Sequence, residues 1–199
     1  MSKSVLYMSM SLDGFIAGPN VRVDNGLGDG GERLHEWLAG SPSDEGGLPS
    51  LPAGVNGEVV SEFMATGAVV AGRGTFEPAG GWGGDHHDGV PIFILSRTGP
   101  IEGLPDFPLV TYTDDVATAI DGAREAAGEK DVLVHGAAVA QLALDAGLLD
   151  ELSLHVVPVL LGHGRRLFDH LDPGQIELER TRVLEGEDGV THMRYRVLR

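Results

Sequence analysis

The chain has 199 residues, no cysteine, 42% hydrophobic residues and a formal charge of -16, from 30 acidic against 14 basic side chains. That length fits a single domain over 1–199, and the apolar content is too high for a disordered chain. The lack of cysteine excludes disulfides, thiolate metal sites and thiol nucleophiles, and the acidic balance makes nucleic acid or an anionic membrane a poor partner.

No long apolar run opens the sequence, so neither a signal peptide nor a membrane span is expected, and a soluble cytoplasmic protein is the default. Ser4–Ser11 is apolar on both faces, as a central strand is. Asp13-Gly14 breaks it, Phe15-Ile16-Ala17 follows, and Gly18-Pro19-Asn20 turns the chain. Leu34, Trp37 and Leu38 share one face of a short helix that Gly40 ends. Residues 41–54 hold mostly Gly, Pro, Ser and acids and read as a lid. Asn56 is placed to cap a helix burying Val59, Val60, Phe63 and Met64, which stops at Gly67 before a strand at 68–71. A glycine-rich loop over 72–84 precedes strands at 91–95 and 109–112. Val116, Ala119, Ile120, Ala123 and Ala127 then recur at helical spacing, Gly128 stops that helix, and residues 131–134 form another buried strand. Val139, Leu142, Ala143 and Ala146 mark a helix ended by Gly147, and 150–161 reads as a long strand interrupted at Pro158. Segments 175–183 and 190–198 alternate and form an antiparallel hairpin. The pattern as a whole gives an α/β domain of three layers, α/β/α, around a mixed sheet.

Gly26-Leu27-Gly28-Asp29-Gly30-Gly31 matches G-x-G-x-x-G, with Asp44 and Glu45 near the spacing of a ribose-binding acid. A dinucleotide fingerprint must leave a strand and open a helix, whereas a loop precedes this one, so a flexible loop is the preferred reading. Gly72-Arg73-Gly74-Thr75 is a better anion site. It follows a strand directly, its glycines allow close backbone approach, Thr75 adds a hydroxyl and Arg73 a fork-shaped cation. Ser96-Arg97-Thr98 ends the strand at 91–95 in the same way, and His135-Gly136-Ala137-Ala138 joins a strand to a helix with free amides. Three such loops suit an extended dinucleotide. Asp85-His86-His87-Asp88 looks like a metal-ligand cluster, but adjacent histidines in an extended segment point in opposite directions, and a solvated loop is the plainer reading. His155 lies opposite Leu152, Leu154 and Val156, toward a subunit partner or solvent. Met8 and Met10 read as packing, and Trp82 as a cover over a ligand.

Three blocks carry a resemblance: Met10-Ser11-Leu12-Asp13-Gly14-Phe15-Ile16-Ala17, Ala71-Gly72-Arg73-Gly74-Thr75-Phe76, and Gly147-Leu148-Leu149-Asp150-Glu151-Leu152 running into Val157-Pro158-Val159-Leu160-Leu161-Gly162-His163-Gly164. They resemble the dihydrofolate reductase-like superfamily, and within it the bacterial group built on the reductase domain of the bifunctional riboflavin-biosynthesis deaminase-reductase. The likeness covers most of the chain and implies a dihydrofolate reductase-like fold with a mostly parallel sheet and a C-terminal antiparallel hairpin. It also implies an NADPH-dependent reductase. By that resemblance Gly72, Arg73, Gly74 and Thr75 bind the pyrophosphate and 2′-phosphate region of NADPH, and Leu95, Ser96 and Arg97 lie at its adenosine end. His135, Gly136, Ala137, Ala138 and Val139 form the other phosphate loop, and Ser9, Ile16 and Ala17 lie beside the nicotinamide. The family usually carries a Gly-Gly pair where this chain has His135-Gly136. Dihydrofolate reductases place a carboxylate on the first helix to hold and protonate the pterin. Asp29 and Glu32 are the nearest candidates here, weighed against acids that simply complement a helix N-terminus, while Asp13 reads as a turn former. The expected reaction is hydride transfer to a small heterocyclic substrate, pterin-like or of the ribosylamino-pyrimidine type. The alternative is an NADP(H)-binding protein that has lost its catalytic carboxylate. A homodimer is expected, paired through the strand around His155 and the terminal hairpin.

Overall fold

The computed structural model describes residues 2–39, 52–171 and 174–198. Gly40 and most of the segment read as a lid, with Asp44 and Glu45, lie outside the described residues. The chain forms β1 (Ser4–Ser11), β2 (Phe15–Ala17), 3-10 turns at Gly31–Leu34 and Glu36–Leu38, and α1 (Gly54–Met64). Next come β3 (Ala68–Gly72), α2 (Arg73–Phe76), a turn at Gly80–Gly84, β4 (Ile92–Leu95), β5 (Val110–Thr113) and α3 (Val116–Ala127). The second half holds β6 (Val132–His135), α4 (Ala137–Asp145), β7 (Glu151–Val157), β8 (Arg165–Arg166), β9 (Leu178–Glu185) and β10 (Thr191–Val197). Eight strands make one sheet in the order β5-β4-β3-β6-β1-β7-β10-β9. All neighbours are parallel except β10, which runs antiparallel to β7 and β9.

Burial on both faces explains the parallel core. Leu6 and Met8 of β1 pack with Val70, Val132 and Val134 under α3 and α4. Their neighbours Val5 and Tyr7 point the other way and pack with Val69, Ala71, Phe76, Ile92 and Leu133. Leu34 and Trp37 join Val59 and Val60 of α1 in a third cluster. The layers are thus helix, sheet, helix. Asp115 caps α3 by accepting the Thr118 amide at 2.7 Å, and Gly128, with φ 62°, ends it. Among the described residues no helix is long and apolar enough to cross a membrane.

Several local expectations are corrected. The short helix after β2 is a pair of 3-10 turns, with Leu34 and Trp37 buried and Leu38 packed beside them. Asn56 lies inside α1 rather than capping it: the carboxylate of Glu187 accepts the Val55 and Asn56 amides at 3.1 and 2.9 Å. The Asn56 side chain, freed from that task, is buried against His192. The strand read over 150–161 ends at Val157, because Pro158 offers no amide to the ladder.

Candidate functional site

The carboxyl ends of β1, β3, β4 and β6 open toward one side of the sheet, where three clefts meet. A cavity of about 390 Å³ is lined by Ile16, Ala17, Glu32, His35, Thr75 and His135, with Trp82 and Arg165 at its edge. A cleft of about 660 Å³ follows along Ala137, Ala138, Gly164, Arg165 and Arg166. A third, of about 570 Å³, lies between Gly72, Arg73, Gly74 and Leu95, Ser96, Arg97. Arg165 borders the first and second, Ala138 the second and third, and Gly74 the first and third, so the three run into one groove.

Local chemistry builds each wall. Gly72 ends β3 in an extended conformation and the chain turns at once into α2. Arg73 donates to Glu77 at 2.9 Å and to Thr98 Oγ1 at 2.7 Å, which tethers its guanidinium to the loop that carries Arg97. Gly136 has φ 93° and ψ 155°, a backbone region essentially closed to other residues. A Cβ there would overlap Thr75 Oγ1, so glycine lets the β6 and β3 loops touch. Val139 does not line the groove: it is fully buried beneath Gly72 and supports both loops from below.

The opposite wall is held by Asp13. It accepts from Ser11 Oγ at 2.6 Å and from the Leu161 and Gly162 amides at 3.1 and 2.8 Å. The Ser11 hydroxyl and those two amides hold its pKa down at about 2. This clamp ties the β1–β2 turn to the segment before β8 and so fixes Ile16 and Ala17. Arg166 donates to Asp13 O at 2.9 Å and lies 4.4 Å over the Phe15 ring, while Arg165 donates to Gly74 O at 2.8 Å.

Two of the sequence readings on histidine are overturned. His86 and His87 are not solvated: His87 is buried, His86 half-buried, and their Nδ1 atoms are 2.8 Å apart. Trp82 packs edge-on against His86, with centroids 4.6 Å apart, and lies 6.2 Å from His135. His155 faces the interior, its Nδ1 2.9 Å from that of His192 and its ring 4.8 Å from Trp37. Burial lowers the pKa of His86 to about 3 and of His135 to about 4 and pushes His155 well down, so these imidazoles are neutral. Among the described residues no three His, Asp or Glu side chains converge as metal ligands.

Most of the residues singled out from sequence meet in this groove. Asp29 does not: the Asn20 and Asn25 amides donate to it at 2.7 and 2.8 Å, depressing its pKa and engaging it in its own loop. Glu32 remains, exposed at the mouth of the 390 Å³ cavity. Ser9 lies deeper, buried under Trp37, whose indole N–H it accepts at 2.9 Å. Asn25, Gly26 and Leu27, part of the glycine-rich pattern, form one wall of the cavity. Sequence reasoning missed Arg165 and Arg166; an Arg-Arg pair directly after Gly162-His163-Gly164, in a chain poor in cations, was the available signal.

The RibD C-terminal domain family model matches residues 3–191. No curated protein matches the chain. A solved structure from Shewanella sp. PV-4, named for riboflavin biosynthesis, is 22% identical, with all of both chains covered and a TM-score of 0.70. A pyrimidine reductase-like protein from Corynebacterium diphtheriae is 16% identical over all of this chain and 92% of its own, with a TM-score of 0.68. Dihydrofolate reductase from Enterococcus faecalis, solved with NADP(H), is 14% identical over all of this chain and 97% of its own, with a TM-score of 0.56. At these identities the likeness carries the fold, and the fold is that of dihydrofolate reductase.

Proposed function

The chain belongs to the RibD C-terminal domain family, and from that premise we propose that it is an NADPH-dependent reductase acting on a small heterocyclic substrate, pterin-like or of the ribosylamino-pyrimidine type. One observation carries this reading: a continuous groove that has two arginines at one end and a chamber at the other, in a chain of charge -16. Arg73, Arg97 and Thr98 suit the 2′-phosphate, because two forked cations and a hydroxyl match a dianion. The first amides of α4 at Ala137 and Ala138, with Arg165 and Arg166 across the cleft, suit the pyrophosphate. Ile16 and Ala17, fixed by the Asp13 clamp, flank the position left for the nicotinamide.

NADPH supplies hydride when bound. The protein supplies orientation and a water-poor chamber: Trp82, Ile16 and Leu27 shield it, and Glu32 is placed to accept ring N–H groups of a substrate entering from the mouth. The chain is further proposed to act as a cytoplasmic homodimer. Calorimetric titration with NADPH, followed by NADPH oxidation with dihydrofolate and ribosylamino-uracil phosphate as probes, tests the reading. Binding with substrate-dependent oxidation supports it. Binding with no oxidation by either probe favours a protein that keeps the cofactor and lacks turnover.

A further inference from the structure

Behind the main cavity lies a smaller void of about 50 Å³, and Met8, His35 and His135 form the wall that the two share. Ser9 and His155 supply the rest of its polar lining; Tyr7, Trp37 and Phe63 are among its apolar neighbours. Among the described residues the Nδ1 atoms of His35 and His135 are both buried and have no hydrogen-bond partner, while the His135 ring also lies within reach of the Tyr7 backbone carbonyl. Ser9 Oγ accepts from Trp37 Nε1, and among the described residues no acceptor takes the proton of Ser9 itself. Buried polar atoms left unpaired are rare, and each asks for an explanation. A void of this size admits a water, and three polar groups around it are the number that a buried water typically bonds.

We propose that Ser9, His35 and His135 hold a water in this void, and that the imidazole and water together deliver the proton taken up by the substrate heteroatom after hydride transfer. The water site stands on geometry alone, whereas the destination of the proton rests on the reductase reading. As hydride reaches the carbon of a C=N or C=O bond, the π pair moves onto nitrogen or oxygen. That atom takes a proton from the N–H of His135, His135 takes one from the water, and the void recovers its proton from bulk solvent once product leaves. His135 is fixed at the end of a central strand. Burial keeps it neutral, and a neutral imidazole can polarise and protonate a developing oxyanion. Direct contact with substrate makes His135 a catalytic residue, and His35 and Ser9 positioning residues.

Two measurements test this. A crystal structure resolving waters should show one within about 2.7–3.2 Å of both Nδ1 atoms; a dry void, or one filled by side chains, overturns the water site whatever the activity. Stopped-flow oxidation of saturating NADPH, with whichever of dihydrofolate and ribosylamino-uracil phosphate is turned over, should slow about 100-fold in His135→Gly, and added imidazole should restore about tenfold of it. His135→Ala, which also leaves room for imidazole, serves in place of the glycine variant if that one fails to fold. An unchanged rate, or a loss that imidazole does not relieve, overturns the catalytic part. If the unaltered protein binds no NADPH or oxidises it with neither probe, the reductase reading falls and with it the destination of the proton, while the crystal still decides the water.

Discussion

Replacing Gly136 with alanine strikes the junction on which the groove depends. At φ 93° and ψ 155° an alanine pays about 1–3 kcal/mol of backbone strain. Its Cβ also overlaps Thr75 Oγ1, so the loop or the threonine must move. For a domain of this length each kcal/mol lowers Tm by about 2–4 °C, which places the Gly136→Ala loss at about 2–12 °C. Displacement of the loop should also weaken NADPH binding, about tenfold for each 1.4 kcal/mol that falls on the bound state. Thermal unfolding and calorimetry of three variants separate the causes. Gly136→Ala with Thr75→Ala loses the overlap and keeps the strain, so it should recover part of the stability. Gly30→Ala, at φ 75° with nothing among the described residues within 4 Å of a Cβ, should cost only about 1–2 kcal/mol. A Gly136→Ala protein that unfolds within about 1 °C of the parent and binds NADPH equally well would refute the reasoning.

Acid should weaken the fold in two stages. The unfolded chain binds protons on histidine below about pH 6.5, whereas His86 and His135 stay neutral down to about 3 and 4. Stability therefore declines as pH falls from about 6.5, and a denaturant midpoint that stays flat down to pH 5 would contradict their burial. Asp13 contributes stability that is present above the ordinary carboxylate pKa of about 4 and lost as pH falls through about 2. Thermal unfolding of Asp13→Asn should thus show a flatter acid limb, with looser Ile16 and Ala17 seen as faster amide exchange. Trp37→Phe keeps an aromatic ring and leaves the buried Ser9 Oγ without its donor, at a cost of about 1–3 kcal/mol by urea unfolding. No loss would show that the bond is dispensable. Light scattering should give a particle of twice the 20.9 kDa chain mass, and a single-chain mass would exclude the homodimer.

What the sequence disclosed and what it hid divide along the range of the interactions. β1, β3, β4 and β6 are legible because strands buried on both faces are apolar throughout, and the glycine-rich strand ends mark turns into helices. The loops at Gly72, Ser96 and Gly136 follow from that alternation, and they do share one groove. Asn56 was misread because the true cap, Glu187, lies 131 positions away, beyond any local pattern. The histidines were misread because a polar residue suggests solvent, yet His155 with His192 and His86 with His87 satisfy one another inside the protein. Asp29 is sequestered by two asparagines that flank it only after the loop closes. Arg165 reaches the groove from a two-residue strand, β8, that no periodicity reveals.

Calorimetric titration of NADPH and of NADH, into the parent protein and into one carrying both Arg73→Met and Arg97→Met, bears most directly on the groove as a cofactor site. Charge-assisted hydrogen bonds to the 2′-phosphate are each worth about 1.5–3 kcal/mol, so with one from each arginine the parent should favour NADPH by about 100-fold or more. The double variant should lose that preference and keep its NADH affinity. No heat from NADPH, or a preference that survives removal of both arginines, would contradict it.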